Sequence, residues 1–276
     1  MKVRVLTSIG IAVVGLPILF LSRYLIYPMA LALLCLAAVY EMTALTGFRK
    51  SPCVWVPSYL VAVVMPIGAY YVNGKSLTYL TACAGVLLAF LFYLHGYAVL
   101  KRGKVKFSDI SMQFTTVFYI TVSFTSLALV RYIPNGVYMF ALVFVASWVC
   151  DIFAYFVGRA IGKHNLIVEV SPKKTVEGAI GGVVCTTLAF ALYGFVITLF
   201  NGAPEPKYLI LMALGFVLSI IAQFGDLICS LIKREHGIKD YGTIFPGHGG
   251  VLDRFDSILA VAPILYIVCV YFPPFV

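Results

Sequence analysis

Residues 230–256 read SLIKREHGIKDYGTIFPGHGGVLDRFD and join two long apolar segments, residues 207–232 and 253–273. This stretch holds basic and acidic side chains together at the point where an apolar segment ends. Ionised side chains at the edge of a lipid bilayer are costly, so such a cluster indicates a functional site rather than a solvated loop. Carboxylates beside Lys and Arg suit metal-assisted chemistry on phosphate esters, because carboxylates hold a divalent cation and basic groups neutralise phosphate oxygens.

The composition of the whole chain excludes an ordinary soluble protein. Of its 276 residues, 62% are hydrophobic and only 11% are charged, and the mean hydropathy is +1.01, whereas a soluble domain carries about a quarter charged residues. The seven cysteines are scattered without a CxxC or Cys/His spacing, which predicts neither a disulfide framework nor a zinc site. The composition therefore predicts an all-α, polytopic integral membrane protein.

Apolar stretches long enough to cross a membrane recur along the chain. A helical span needs about 20 apolar residues, and breaks at polar or Pro/Gly-rich positions predict about nine spans: residues 4–21, 25–45, 54–72, 78–100, 110–130, 137–161, 176–200, 207–232 and 253–273. The first is interpreted as a span rather than a signal peptide, because no small-residue cleavage site stands out. We predict a single transmembrane domain over residues 1–276, with scaffold helices in 1–136 and catalytic helices and motif loops in 137–276.

Basic residues sort to one side of this arrangement. With nine spans, one face holds 16 of the 20 Lys and Arg residues: Lys2, Arg4, Arg49, Lys50, Lys101, Arg102, Lys104, Lys106, Arg159, Lys163, Lys173, Lys174, Lys233, Arg234, Lys239 and Arg254. The other face holds Arg23, Lys75, Arg131 and Lys207. The positive-inside rule then predicts a cytoplasmic N-terminus and a C-terminus outside. The net charge of +9 reflects this topology, and no nucleic-acid partner is predicted.

The first charged motif, DIFAYFVGRAIGKH, covers Asp151 to His164 at the end of the sixth predicted span. Asp151, Tyr155 and Arg159 follow one another at i, i+4 and i+8 and therefore share a helical face. A carboxylate within an apolar helix must meet a partner or water. The structural alternative to a functional site is an intramembrane salt bridge of Asp151 with Arg159 or a neighbour.

The second motif, SPKKTVEG, covers Ser171 to Gly178 just before the seventh predicted span. Glu177 suits the first turn of a helix, where the helix dipole favours a negative charge. Two adjacent lysines at a membrane surface usually contact lipid headgroups or set topology. This motif alone is therefore weak evidence for a site.

The third motif is the opening stretch together with the helix that precedes it. One face of the eighth predicted helix carries four polar side chains at helical spacing: Asp226, Ser230, Lys233 and Arg234. GHGG at 247–250 provides flexible backbone where a phosphate can approach closely. Asp253 and Asp256 share a face at the start of the ninth predicted helix. The eighth and ninth predicted helices are thus expected to bring three carboxylates together at their cytoplasmic ends. The alternative is a purely structural charge network.

Two further polar residues, Glu41 and His95, each stand alone in an apolar helix. We interpret both as satisfied by neighbouring groups rather than catalytic. Lys101 to Lys106 are interpreted as topology residues.

The stretch 230–256 resembles the signature of the phosphatidate cytidylyltransferases (CDP-diacylglycerol synthases). The shared pattern is a serine, Lys-Arg, Lys-Asp, a glycine, and a His-Gly-Gly that leads to Asp-x-x-Asp. Gly225-Asp226-Leu227, SPKKT and DIFAYFVGR…GKH resemble other stretches of that family in the same order, so the resemblance covers about residues 150–257. Cys229 departs from the acidic residue that often precedes the signature serine, and Ile152 stands where a small hydroxyl residue is common.

The resemblance implies transfer of CMP from CTP to phosphatidate, which gives CDP-diacylglycerol and pyrophosphate in phospholipid biosynthesis. It implies that Asp226, Asp253 and Asp256 hold Mg²⁺, with a second cation as an option, and that Lys174 joins them as the catalytic set. The family tolerates glycine at the position of Lys173, so Lys174 is the stronger functional candidate of the two. The residues assigned to substrate binding are Ser171, Lys173, Ser230, Lys233, Arg234, Lys239, Asp240, His248, Asp151 and Arg159.

The same resemblance implies partners and a location. CTP, phosphatidate and membrane lipid are the expected partners, and the family's dimerisation implies a homodimer. The expected location is the bacterial inner (cell) membrane, with the active site on the cytoplasmic side. Acyl chains would then enter sideways between helices while CTP arrives from the cytoplasm.

Three other functions compete with this one. A CTP-dependent polyprenol or phytol kinase would share the topology and metal chemistry, but the complete third motif argues against it. A transporter usually binds its substrate near the bilayer midplane between repeats, whereas here the charges concentrate at one face. A CDP-alcohol phosphotransferase is disfavoured because the spacing of its acidic motif is absent from the sequence.

Overall fold

The computed structural model describes residues 13, 17–18, 21–72, 76–102, 104–247 and 249–276. The α-helices in this part of the chain are α1 (Ile26–Leu45), α2 (Pro52–Gly68), α3 (Ser76–Leu100), α4 (Phe107–Tyr132), α5 (Gly136–Phe144), α6 (Cys150–Ile161), α7 (Val176–Thr198), α8 (Tyr208–Glu235) and α9 (Leu252–Tyr271). Single 3₁₀ turns lie at Phe48–Lys50 and Ala69–Val72, and a π-helical turn, Val145–Val149, connects α5 to α6. Two short strands, β1 (Asn165–Ile167) and β2 (Ser171–Thr175), lie between α6 and α7.

Eight helical stretches within the described residues are long and apolar enough to cross a membrane. They are Ile26–Leu45, Pro52–Tyr71, Thr78–Leu100, Phe107–Tyr132, Gly136–Ile161, Val176–Thr198, Tyr208–Glu235 and Leu252–Tyr271. The prediction of an all-α, polytopic membrane protein is confirmed, and each of these stretches matches a predicted span to within a few residues. The first predicted span, residues 4–21, lies almost entirely outside the described residues.

Backbone hydrogen bonding explains why these segments are helical. Lipid offers no partner for an N–H or C=O group, so an apolar segment in a membrane satisfies its backbone internally as a helix. Pro52 occupies the first turn of α2, where its missing N–H costs nothing. Pro57 and Pro66 inside α2, and Pro263 inside α9, are tolerated because neighbouring groups in a helical bundle can satisfy the freed carbonyls.

The chain divides into two compact units, Met1–Tyr132 with Asp240–Arg254, and Ile133–Lys239 with Phe255–Val276. The prediction of one transmembrane domain with a scaffold part and a catalytic part stays a prediction. In the first unit the buried Gln113 of α4 joins α1 to α2, because its amide nitrogen lies 3.1 Å from the hydroxyls of both Thr43 and Ser58. A polar side chain buried in such a unit has to be hydrogen-bonded, and this one is.

In the second unit, glycines let helices approach closely. A Cβ atom on Gly178 of α7 would lie 2.6 Å from the carbonyl oxygen of Ala154 in α6. A Cβ atom on Gly225 of α8 would lie 2.6 Å from the Cβ of Ala260 and 2.8 Å from the carbonyl oxygen of Asp256, both in α9. These contacts pack α7 against α6, and α8 against the part of α9 that follows Arg254.

The sequence does not predict the hairpin that precedes α7. Strands β1 and β2 pair antiparallel, with Asn165 opposite Thr175 and Ile167 opposite Ser171. The segment SPKKT is too short and too polar to show the alternation by which a strand is recognised from sequence. Thr175 ends β2 and is also the N-cap of α7, where its hydroxyl accepts a hydrogen bond from the Gly178 N–H at 3.1 Å.

Candidate functional site

A cavity of about 370 Å³ in the second unit brings together residues from all three charged motifs. Its walls come from α6, from the β1–β2 hairpin, from the start of α7 and from α8. The polar lining residues that concern its chemistry are Asp151, Arg159, Lys173, Lys174, Gln223 and Asp226.

An ion pair between Lys174 and Asp226 lies at the centre of this group. Both side chains are about three-quarters buried, with 27% of Lys174 and 24% of Asp226 exposed. The Ser230 hydroxyl, one turn after Asp226 on α8, donates to Asp226 Oδ1 at 3.3 Å. The i, i+4 spacing of the sequence therefore does place Asp226 and Ser230 on one face of a helix.

The two lysines of the SPKKT motif lie in different surroundings. They are neighbours in β2, and successive side chains of a strand point to opposite sides. Lys174 is largely buried against Asp226, while Lys173 is exposed. Lys174 also comes just before the N-terminus of α7, where the helix dipole gives a partial positive charge. The ammonium and the helix N-terminus both favour the binding of an anion here.

Three carboxylates of the second unit lie close together. Asp151 and Asp256 are each near enough to Asp226 for electrostatic repulsion, which Lys174 offsets at Asp151 and Lys233 at Asp256. Three carboxyl groups face only two ammonium groups here, and a divalent cation would stabilise the ionised form of all three.

The residues present fit a particular kind of magnesium site. Within the described part of the chain, no group of three or more His, Cys, Asp or Glu side chains is arranged to hold a metal ion by itself. Mg²⁺ commonly takes one or two protein carboxylates and completes its shell with water and substrate phosphates. Asp226 and Asp256 fit that second arrangement, and the three-carboxylate site with Asp253 stays a prediction.

The predicted face of the first motif is present, and of the partners named in its structural alternative Arg159 is not the one that Asp151 meets. The Arg159 guanidinium donates to the Tyr155 hydroxyl at 3.4 Å, and no ion pair joins Arg159 to Asp151. Asp151 is exposed to the cavity and interacts with Lys174 and Asp226 instead.

Glu177 connects the first motif to the second. Its carboxylate accepts hydrogen bonds from the backbone N–H groups of Lys163 and His164 at 3.1 and 3.3 Å, and His164 Nδ1 lies 2.6 Å from Glu177 Oε1. Glu177 does lie in the first turn of α7, but its contacts are with the chain that follows α6. Both ends of the hairpin are fixed in this way to helix termini.

Arg234, Ser171 and Lys239, three further substrate-binding candidates, do not line the cavity. Arg234 is exposed, and its Nε donates to the Val170 carbonyl in the hairpin at 3.4 Å. Ser171 begins β2, and Lys239 is exposed after the end of α8. His248 lies outside the described residues.

Asp240 and Asp253 belong to the first unit. Asp240 is exposed. Asp253 Oδ2 accepts hydrogen bonds from the backbone N–H groups of Tyr241 and Gly250 at 2.8 and 2.9 Å. Asp253 therefore shapes the segment that precedes it, besides any role toward a ligand.

Sequence reasoning missed two residues of the cavity. Gln223 is buried on α8, and its amide nitrogen donates to the Ala179 carbonyl of α7 at 3.2 Å. Its position three residues before Asp226 is a signal that could have placed it on the functional face. Thr175 lines the cavity as the N-cap of α7, and its position directly after Lys174 was a comparable signal.

Comparison with known proteins extends the resemblance to the whole chain. The model of the Cytidylyltransferase family matches residues 2–272. Three curated relatives, each named phosphatidate cytidylyltransferase, come from Staphylococcus haemolyticus (strain JCSC1435), Staphylococcus saprophyticus and Staphylococcus epidermidis, and are 33%, 34% and 32% identical to this chain. Each alignment covers 98% of this chain and 99% of the relative.

These matches include the N-terminal half, for which the sequence itself offers hydrophobicity but no motif. A family model that extends over residues 2–272 cannot be explained by the third motif alone. The chain therefore belongs to the cytidylyltransferase family.

Proposed function

We propose that this protein is a phosphatidate cytidylyltransferase, which transfers CMP from CTP to phosphatidate. The observation that carries the proposal is the cavity in which the Lys174–Asp226 ion pair, Asp151 and Arg159 meet in a chain of this family. Such a cavity has basic groups for phosphates and carboxylates for a divalent cation. Its staphylococcal relatives carry the same activity in their names.

The reaction has to bring two anions together. A phosphate oxygen of phosphatidate attacks the α-phosphorus of CTP, a new P–O bond forms, and the bond to the β-phosphate breaks to release pyrophosphate. The ammonium of Lys174, the guanidinium of Arg159 and the ammonium of Lys233 neutralise phosphate oxygens and offset the charge that develops on the leaving group. The attacking phosphate is already an anion near neutral pH, so no side chain has to act as a general base.

The carboxylates have a second task in this proposal. Asp226 and Asp256, with Asp253, would hold Mg²⁺, which when bound supplies charge neutralisation and alignment of the attacking and leaving oxygens. Ser230 orients the Asp226 carboxylate through its hydroxyl. Lys174 pairs with Asp226 in a largely buried position and offsets its negative charge there.

Radiolabelled CTP tests the proposed reaction. Purified protein in detergent, given phosphatidate and CTP labelled at the α-phosphate, is expected to release a labelled lipid, whereas CTP labelled at the γ-phosphate should label only pyrophosphate. A polyprenol kinase gives the opposite pattern with polyprenol as the acceptor. Absence of a labelled lipid from α-labelled CTP would contradict the proposal.

The protein is an integral membrane protein, and its bacterial relatives indicate a cell membrane. We propose that its N-terminus and its active site face the cytoplasm, that its C-terminus lies outside, and that it forms a homodimer. The orientation is supported by the division of Lys and Arg between alternate loops, 16 on one face and 4 on the other.

Reporter fusions give the orientation a direct test. Alkaline phosphatase fused after residues 50, 105 and 170 is expected to be inactive, because the enzyme needs the oxidising side of the membrane. A fusion after residue 276 should be active, and green fluorescent protein at the same positions should give the complementary result. A cytoplasmic C-terminus would mean that one span had been miscounted.

A further inference from the structure

Within the first unit, a carboxylate of α1 contacts the third motif more than two hundred residues later. Glu41 is only 3% exposed. Its Oε1 accepts a hydrogen bond from the Val251 N–H at 2.9 Å, and its Oε2 accepts one from the Leu252 N–H at 3.0 Å. Leu252 is the first residue of α9, and the first N–H groups of a helix have no carbonyl partner within the helix. The carboxylate of Glu41 supplies acceptors for such N–H groups at the start of α9. A negative charge at this end also suits the helix dipole.

Two glycines of the segment make room for this carboxylate. A Cβ atom on Gly242 would lie 2.6 Å from Glu41 Oε1, and one on Gly250 would lie 2.6 Å from Glu41 Cδ. For both glycines all three of the nearest atoms belong to Glu41. Neither glycine has a positive φ angle, so the side chain of Glu41, and not the backbone conformation, excludes a larger residue.

Asp253 also forms hydrogen bonds to this segment. Its Oδ2 accepts the N–H groups of Tyr241 and Gly250. Three consecutive N–H groups, those of Gly250, Val251 and Leu252, are therefore divided between two carboxylates. The position of Asp253 depends on where this backbone lies, and Glu41 fixes the part of it that begins the helix carrying Asp253.

We propose that Glu41 is a positioning residue, which holds the segment Asp240–Leu252, and through it the Asp253 carboxylate, in the conformation that activity requires. This inference rests on the proposed function, because Asp253 is one of the carboxylates assigned there. Glu41 touches neither substrate in this proposal and acts only through the backbone of residues 250–252. Its two hydrogen bonds explain why a buried glutamate is tolerated in an apolar helix. They also allow it to fix the backbone that leads to Asp253.

Substitutions at Glu41 and Gly250 test the proposal as a pair. Glu41→Ala is expected to lower kcat at least about thirtyfold, since both acceptors are lost. Glu41→Gln keeps one acceptor oxygen and should fall between Glu41→Ala and the wild type. Gly250→Ala alone should lower kcat by a similar factor, because its Cβ meets the carboxylate. In the Glu41→Ala background Gly250→Ala should cost little more, since the obstructing side chain is gone.

A matched control separates positioning from general stability. Gln113→Ala removes a buried polar group of the same unit that contacts α1 and α2 but not the segment. It is expected to lower the melting temperature while leaving kcat within about twofold, because it removes comparable hydrogen bonds away from Asp253. Hydrogen exchange at the amides of Val251 and Leu252 gives a readout independent of activity, and Glu41→Ala should speed it at least about tenfold.

The outcomes decide between the two roles. Faster exchange at Val251 and Leu252, a kcat loss beyond that of Gln113→Ala at equal melting temperature, and a Gly250→Ala effect that vanishes without Glu41 would support positioning. Losses that simply follow the melting temperature, or effects of Glu41→Ala and Gly250→Ala that add in full, would overturn it. A wild-type protein that makes no CDP-lipid would contradict the proposed function alone, because the exchange measurement does not depend on activity.

Discussion

Asp226→Asn is expected to slow CDP-diacylglycerol formation at least about a hundredfold. The substitution keeps size and polarity but deletes the negative charge of a carboxylate that pairs with Lys174 and accepts a hydrogen bond from the Ser230 hydroxyl. One charge-assisted contact is worth about 1.5–3 kcal/mol, and each 1.36 kcal/mol of transition-state free energy changes a rate tenfold. Loss of a carboxylate that we propose holds Mg²⁺ adds to this effect. The measurement is the rate of labelled lipid formation at saturating CTP and phosphatidate.

Asp256→Asn should have a comparable effect, because Asp256 interacts electrostatically with Asp226 and Asp151 in the same unit. If Asp226 and Asp256 serve one ion, the Asp226→Asn/Asp256→Asn double variant should be little worse than either single variant. Asp253→Asn is expected to abolish activity as well, since it removes a predicted anionic ligand and weakens the hydrogen bonds that the carboxylate accepts from the Tyr241 and Gly250 N–H groups.

The control for these carboxylates is Glu205→Gln, an exposed carboxylate of the second unit between α7 and α8. It should leave both the rate and the melting temperature unchanged. If the aspartates only braced helices, the Asn variants would lose thermal stability in step with activity and added Mg²⁺ would restore nothing. An active, Mg²⁺-independent Asp253→Asn or Asp256→Asn protein would contradict the proposed mechanism.

The spans were predictable from the sequence because a membrane constrains backbone hydrogen bonds more strictly than water does. An apolar stretch of about 20 residues in lipid has few alternatives to a helix. The predicted span 137–161 corresponds to Gly136–Ile161 in the structure. The π-helical turn at Val145–Val149 inside it was not predicted, because hydropathy does not record a change in helical pitch.

The partners of the charged residues were only partly predictable. Spacing along one helix correctly placed Ser230 beside Asp226. It could not show that Lys174, which lies in a strand and not a helix, would pair with Asp226, because that contact depends on how α6, α7 and α8 pack. The salt bridge between Asp151 and Arg159 was a reasonable alternative on spacing alone. It does not form, and the Arg159 guanidinium donates to the Tyr155 hydroxyl instead.

The contacts of Glu41 also depend on tertiary packing, and they join residues still farther apart in the sequence. The interpretation that neighbouring groups satisfy it is correct, but those groups are backbone amides 210 and 211 residues away along the chain. The GHGG motif, which includes Gly250, suggests flexible backbone near a phosphate. The structure shows instead that the carboxylate of Glu41 occupies the space beside Gly250, as it does beside Gly242. A glycine in a motif therefore does not reveal what approaches it.

Lys174→Ala is expected to lower the activity about 10- to 150-fold, and Lys173→Ala no more than about threefold, because only the first substitution removes a charge-assisted contact. The two lysines are adjacent in β2 and equally close to the membrane in sequence, so a headgroup or topology role predicts similar, small losses. The structure separates them, since Lys174 pairs with Asp226 while Lys173 is exposed.

The Lys174 substitution also changes the balance of charge around the cavity. Without its ammonium, the repulsion between Asp151 and Asp226 is less offset, and the triphosphate of CTP meets a more negative surface. The loss should therefore appear in the KM for CTP as well as in kcat, and higher ionic strength should partly reduce it because salt screens the repulsion. Lys174→Arg, which keeps the charge in a different shape, should retain more activity than Lys174→Ala. Equal, small losses for Lys173→Ala and Lys174→Ala would contradict a catalytic role for Lys174. They would indicate that this motif sets topology or contacts lipid headgroups.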